Sequence, residues 1–125
     1  MSDSDPLLAG KRLLVVDDEP MLALDVADQL QFQGAQVAAV NSLEDAAAVL
    51  ASGAALDGAI LDIQIGDEEV WPVAAALKRN GTPFLFLSAT CGESPLPDEY
   101  QGKPFLPKPL DRDSLDRTLR SLLAV

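Results

Sequence analysis

The chain has 125 residues, 48% of them hydrophobic, which suffices for one domain with a closed apolar core and excludes a disordered chain. Its formal net charge of −11 argues against nucleic-acid binding, and the absence of histidine removes imidazole acid–base chemistry, histidine metal ligands and any phosphohistidine of its own. A single cysteine, Cys91, permits no internal disulfide, no apolar run approaches the ~18 residues of a membrane span, and the acidic start lacks a secretion signal, so a cytoplasmic protein with no membrane partner is expected.

Residues 1–10 read as a flexible leader ending at Gly10, and residues 11–125 as the domain. Leu13 to Val16 is a continuous apolar run, as a strand buried on both faces requires. Pro20 suits the first turn of a helix, Leu22, Val26 and Leu30 recur at four-residue spacing, and Gly34 reads as the stop. Gln36 to Val40 is a second strand. Ser42 is placed to cap a helix through about Ser52, with Asp45 in the capping-box position and Gly53 at the end.

Ala59 to Leu61 leads into Asp62 as a third strand, and a helix is expected from about Glu69 to Asn80, with Pro72 tolerated only in its first turn. Phe84 to Leu87 is an all-apolar fourth strand. The next segment holds Gly92, Pro95, Pro97, Gly102 and Pro104, so a full helix there is not expected; a loop with at most one turn around Pro97 to Tyr100 is. Phe105 and Leu106 form a fifth strand, and Asp111 caps a last helix with the apolar stripe Leu115, Leu119 and Leu122. Strand–helix alternation of this kind implies a doubly wound parallel α/β sheet with helices on both faces, in the order 2-1-3-4-5, with its site at the carboxyl ends of the strands.

That order brings Asp17 and Asp18 (after the first strand), Asp62 (third), Ser88 (fourth) and Lys108 (after the fifth) to one edge. Three crowded carboxylates repel unless a cation joins them, and a hard divalent ion such as Mg²⁺ suits oxygen ligands. Lys108 adds a positive charge and Ser88 a hydroxyl. Together they suit a phosphoryl group in transit, which asks mainly for positioning and charge neutralisation, with Asp62 as nucleophile. Taken singly, an acidic pair after a strand is more often a cap or a solvated loop, Ser88 a turn residue and Lys108 a solvated side chain; the joint arrangement carries the argument.

Val15-Val16-Asp17-Asp18-Glu19-Pro20, Leu61-Asp62, Leu87-Ser88-Ala89 and Lys108-Pro109, at these spacings, resemble the response-regulator receiver domains of two-component signalling over residues 11 to 123. The resemblance implies the flavodoxin-like fold and assigns roles. Asp62 is the phosphoacceptor and Asp18 a direct Mg²⁺ ligand. Asp17 acts on the metal largely through water, and Gln64 offers its backbone carbonyl. Ser88 is the hydroxyl that moves to the phosphoryl group, Lys108 the lysine that holds it, and Phe105 the aromatic switch. It implies a histidine kinase or histidine phosphotransfer protein as donor, a phosphorelay, an output through another protein, and self-catalysed chemistry rather than an enzyme of the ordinary kind.

Two departures stand out. Ile65-Gly66 replaces the family's usual Met-Pro, and the fourth crossover helix is short or absent. In the second respect the chain is similar to a single-domain subgroup with a Phe-Ala-Thr-Gly pattern. Its matching stretch is Pro83-Phe84-Leu85-Phe86 and Leu87-Ser88-Ala89-Thr90-Cys91-Gly92, with Ser88 preferred over Thr90 as the hydroxyl. That similarity points to a kinase of the HWE class and to a receiver without an output domain.

The alternative is a pseudo-receiver that signals by contact without phosphorylation. A flavin carrier lacks its Ser/Thr/Gly-rich phosphate loop here, and an aspartyl phosphatase would want an acid where Gln64 stands. Glu19 either tunes the metal site or favours the helix start. Trp71 packs beside the site or serves the core. Cys91 reads first as a bystander thiol, and Arg112, Arg117 and Arg120 as a solvated helix face or part of a docking surface.

Overall fold

A computed structural model describes residues 8–88, 97–100 and 102–124. Its elements are β1 (Arg12–Val16), α1 (Pro20–Phe32), β2 (Gln36–Val40), α2 (Leu43–Ala51), β3 (Gly58–Asp62), β4 (Gln64–Ile65), β5 (Glu68–Glu69), α3 (Trp71–Arg79), β6 (Phe84–Ser88), a 3₁₀ turn (Asp98–Tyr100), β7 (Phe105–Pro107) and α4 (Arg112–Leu123). Five strands form one parallel sheet in the order β2-β1-β3-β6-β7, which is 2-1-3-4-5 when only its own strands are counted.

Alternate side chains of the central strands go to opposite faces, as the two-residue period of a strand demands. Leu14, Val16, Ala59, Leu61, Phe84 and Phe86 pack under α2, α3 and Tyr100. Leu13, Val15, Ile60, Leu85, Leu87 and Leu106 pack under α1 and α4. All five residues of β3 and of β6 are buried, including the terminal Asp62 and Ser88. Both faces being covered explains why these strands read as unbroken apolar runs.

Local signals act where expected. Ser42 Oγ accepts the Asp45 N–H at 3.0 Å, and Asp111 Oδ2 accepts the Ser114 N–H at 2.9 Å, so both helix starts are capped. Pro72 falls in the first turn of α3.

Three details differ. Helix α3 starts at Trp71 rather than Glu69, because Gln64 pairs with Glu69 and Ile65 with Glu68 in a small antiparallel hairpin. Leu8, inside the expected leader, is 2% exposed in the α1/α4 core and donates its N–H to the Gln33 carbonyl at 2.8 Å. Leu122 is only half-buried, unlike Leu115 and Leu119. The described part of the β6–β7 crossover holds the single turn Asp98–Tyr100, while Thr90, Cys91, Gly92 and Pro95 lie outside the described residues.

Candidate functional site

The sheet register sets the site. Asp17 follows the end of β1, Asp62 pairs with Leu87, Ser88 pairs with Pro107, and the Lys108 N–H donates to the Ser88 carbonyl at 2.9 Å. Asp17, Asp62, Ser88 and Lys108 thus share the carboxyl edge of neighbouring strands. Asp17 is 1% exposed and Asp62 5%, unusual depths for carboxylates and a reason to look for compensating charge.

Lys108 supplies part of it. Its Nζ lies 2.8 Å from Glu19 Oε1, 2.9 Å from Asp62 Oδ2 and 3.1 Å from Asp17 Oδ2. The contact with Asp17 Oδ2 is an ion pair without hydrogen-bond geometry, so that buried oxygen accepts no hydrogen bond among the described residues. The other oxygen of Asp17 accepts the Glu19 N–H at 2.9 Å, and Asn41 Nδ2 donates to the Asp17 carbonyl at 2.9 Å, which together hold the β1–α1 loop. Asp18 is exposed, but its Oδ2 accepts the Gly66 N–H at 2.8 Å. Gly66 opens the two-residue hairpin loop with φ +61°, as a II′ turn asks of its first central residue. It also has the N–H that a proline there would lack.

One oxygen from each of Asp17, Asp18, Glu19 and Asp62 lies within 4.8 Å of the others. Four carboxylates face one ammonium, and a buried carboxylate oxygen is left without a hydrogen bond. Burial, first of all, raises the Asp62 carboxyl to about 6; the Asp17 charge adds to the rise, and the hydrogen bonds from Lys108 and from the Gln64 backbone N–H oppose it. Burial pulls the Lys108 ammonium down, but its contacts with Glu19, Asp62 and Asp17 outweigh it and its pKa ends above the usual lysine value. A small hard cation answers these features, because it satisfies an orphaned oxygen and neutralises crowded charge at once. The residues therefore fit Mg²⁺.

Of the other expected residues, Ser88 is 7% exposed at the end of β6. Phe105 is half-buried opposite Phe86 and packs on the α2/α3 core. Gln64 is exposed, and its side chain turns to the Gly66 carbonyl at 3.0 Å. Trp71 serves the core: it packs against the α2/α3 cluster, stacks on Tyr100 (5.5 Å, 16°), meets Phe86 edge-on (5.6 Å, 78°), and donates Nε1–H to Glu69 Oε1 at 3.1 Å. Arg112, Arg117 and Arg120 are exposed on α4. Glu19, expected either to tune the metal site or to favour the helix start, reaches Lys108 in the site, while Gly66 was legible only as a departure from Met-Pro.

No protein-family model matches the chain. A response regulator receiver protein from Sinorhizobium medicae is 30% identical, with a TM-score of 0.79 over 94% of this chain and 98% of that one. SdrG from Sphingomonas melonis is 31% identical, with a TM-score of 0.76 over 92% and 97%. The chain belongs to the response-regulator receiver domains. Its acidic edge is therefore the acidic pocket of a receiver of two-component signalling. Transcriptional regulatory protein TcrA from Mycobacterium tuberculosis is 31% identical over 122 residues, which are 92% of this chain and 47% of that protein. The receiver thus spans about half the length of the curated relative it matches. Among the described residues no helix is long and apolar enough to cross a membrane.

Proposed function

We propose that this receiver accepts a phosphoryl group on Asp62 from a phosphohistidine, with Mg²⁺ bound, and passes the signal to a partner protein. One observation carries the reading: Asp62 ends β3 at 5% exposure, with one oxygen 2.9 Å from Lys108 Nζ and an acidic pocket around it. Asp17, Asp18, Asp62 and the Gln64 carbonyl would hold the metal, which supplies positive charge for the phosphoryl oxygens. At neutral pH a carboxyl with a pKa of about 6 is mostly ionised, so Asp62 is available as a nucleophile.

Its oxygen attacks phosphorus, the P–N bond breaks, and the bond pair leaves with the donor imidazole. Lys108 and the Ser88 hydroxyl bind the transferred oxygens. Water later cleaves the acyl phosphate and returns the carboxylate and inorganic phosphate. The protein is consumed and regenerated by its own chemistry, so it is a phosphoacceptor rather than an enzyme of the ordinary kind. Movement of Ser88 towards the phosphoryl group and of Phe105 into the space it leaves would change the β6–β7 face. The donor is a histidine kinase of the HWE class or a histidine phosphotransfer protein in a cytoplasmic phosphorelay, a reading that rests on the resemblance to the Phe-Ala-Thr-Gly subgroup.

The test is intact mass after incubation with Mg²⁺ and acetyl phosphate, on wild type and Asp62→Asn. One phosphoryl mass on wild type that needs Mg²⁺ and is absent from Asp62→Asn is expected. No adduct on wild type, together with no binding of beryllofluoride, would replace this reading with the pseudo-receiver that signals by contact alone.

A further inference from the structure

We propose that Glu19 is a positioning residue for Lys108, holding back the ammonium N–H that a phosphoryl group on Asp62 must recruit. The inference rests on the phosphoacceptor reading and adds a control to the same site.

Glu19 occupies the N-cap of α1, with extended backbone angles of φ −96° and ψ 103°, yet its side chain makes no cap hydrogen bond. Side chains at this position ordinarily accept an N–H from the first turn. Here Oε1 instead accepts from Lys108 Nζ at 2.8 Å, across 89 residues of sequence. The helix start is met by other means, since Pro20 follows without an N–H and the Glu19 carbonyl accepts the Ala23 N–H at 3.0 Å.

A lysine ammonium has three N–H donors and no acceptor. Lys108 Nζ has three carboxylate neighbours, Asp17, Glu19 and Asp62, all within 3.1 Å, and its side chain is 10% exposed. Glu19 and Asp62 accept two of its N–H groups and Asp17 crowds it as an ion pair, so a phosphoryl oxygen on Asp62 competes with these carboxylates for the ammonium. Asp17 is 1% exposed on its side chain and would lose its cation in a dry site. Asp62 is the residue that carries the phosphoryl group. The Glu19 side chain is 63% exposed and can turn to water, so its release costs least. Glu19 thus holds Lys108 in the unphosphorylated receiver and yields it on phosphorylation.

Two variants separate this contact from the charge of the residue. Glu19→Ala removes both. Glu19→Asp keeps the charge but is one methylene shorter, falls short of Lys108, and favours the vacant cap. Affinity for beryllofluoride with Mg²⁺, measured by calorimetry, is expected to rise about threefold in both variants, the size of an exposed ion pair no longer broken. In metal-free protein the slowly exchanging ¹⁵N signal of the Lys108 ammonium, expected in wild type, broadens in both.

Wild-type behaviour of Glu19→Asp would make the effect one of net charge and overturn the proposal. Equal affinities in all three proteins would overturn it while leaving the phosphoacceptor reading intact. No beryllofluoride binding to wild type would remove both.

Discussion

The acidic site at the carboxyl ends of the strands and the aromatic corner on one face of the sheet are built on opposite principles. In the site, Asp17 and Asp62 are buried against their own preference for water and stay there because Lys108 faces them. In the corner, Trp71, Phe84, Phe86 and Tyr100 make five stacked or edge-on contacts at centroid distances of 5.4–6.0 Å, and Lys103 Nζ lies 4.9 Å over the Phe84 ring. Tyr100, from the Asp98–Tyr100 turn of the β6–β7 crossover, is 1% exposed and supplies apolar cover to that side of the core. The first region holds polar groups at an energetic cost; the second recovers stability through buried apolar rings. Truncation should therefore destabilise the corner and relieve the site.

The largest effect is expected in the corner. Tyr100→Ala removes a fully buried ring and its stack on Trp71, and should cost about 3–5 kcal/mol in chemical denaturation. A loss below about 1 kcal/mol would mean that the turn contributes little to the core.

The opposite sign is expected in the site. The folded pKa of Asp62, about 6, lies above its ordinary 3.8, so the native state holds more protons than the unfolded chain between these values. Its unfavourable contribution is absent below about pH 4, grows as pH rises, and is complete above about pH 6. Asp62→Asn should then stabilise the metal-free protein by about 1–3 kcal/mol at pH 7, with the gain vanishing towards pH 4. Thermal melts of both proteins across that range, in chelator, measure it. Adding Mg²⁺ should raise the melting temperature of wild type and shrink the difference. A destabilising Asp62→Asn at pH 7 would show that the pair with Lys108 outweighs burial.

The smallest effect belongs to neither region and calibrates both. Ser42→Ala removes the hydrogen bond that caps α2 and should cost about 1 kcal/mol with no change in phosphoryl acceptance.

Elements with strong local signals were legible in the chain. The Leu13–Val16 and Phe84–Leu87 runs, Pro20 and Gly34 around α1, and the caps Ser42 and Asp111 all act over a few residues, where propensity and hydrogen-bond accounting are decisive. The α3 boundary and the hairpin before it were not, because Gln64-Ile65 and Glu68-Glu69 carry no strand signal and pair only around Gly66. Leu8 looked like leader because its burial depends on packing against α1 and α4, residues distant in the chain.

The site divides in the same way. Asp17, Asp62, Ser88 and Lys108 could be read as converging, since parallel order places all strand ends on one edge whatever the side-chain details. Which carboxylates reach Lys108, that Glu19 turns from the helix to the ammonium, and that the Gly66 N–H holds Asp18 depended on the packed fold. The sequence by itself determined the α/β alternation, the strand order and the residue types at the sheet edge, because these follow from periodicity, chain handedness and local caps. Only the tertiary structure decided the partners of each charge, because 2.8 Å contacts between residues 48 and 89 positions apart leave no local trace in the chain.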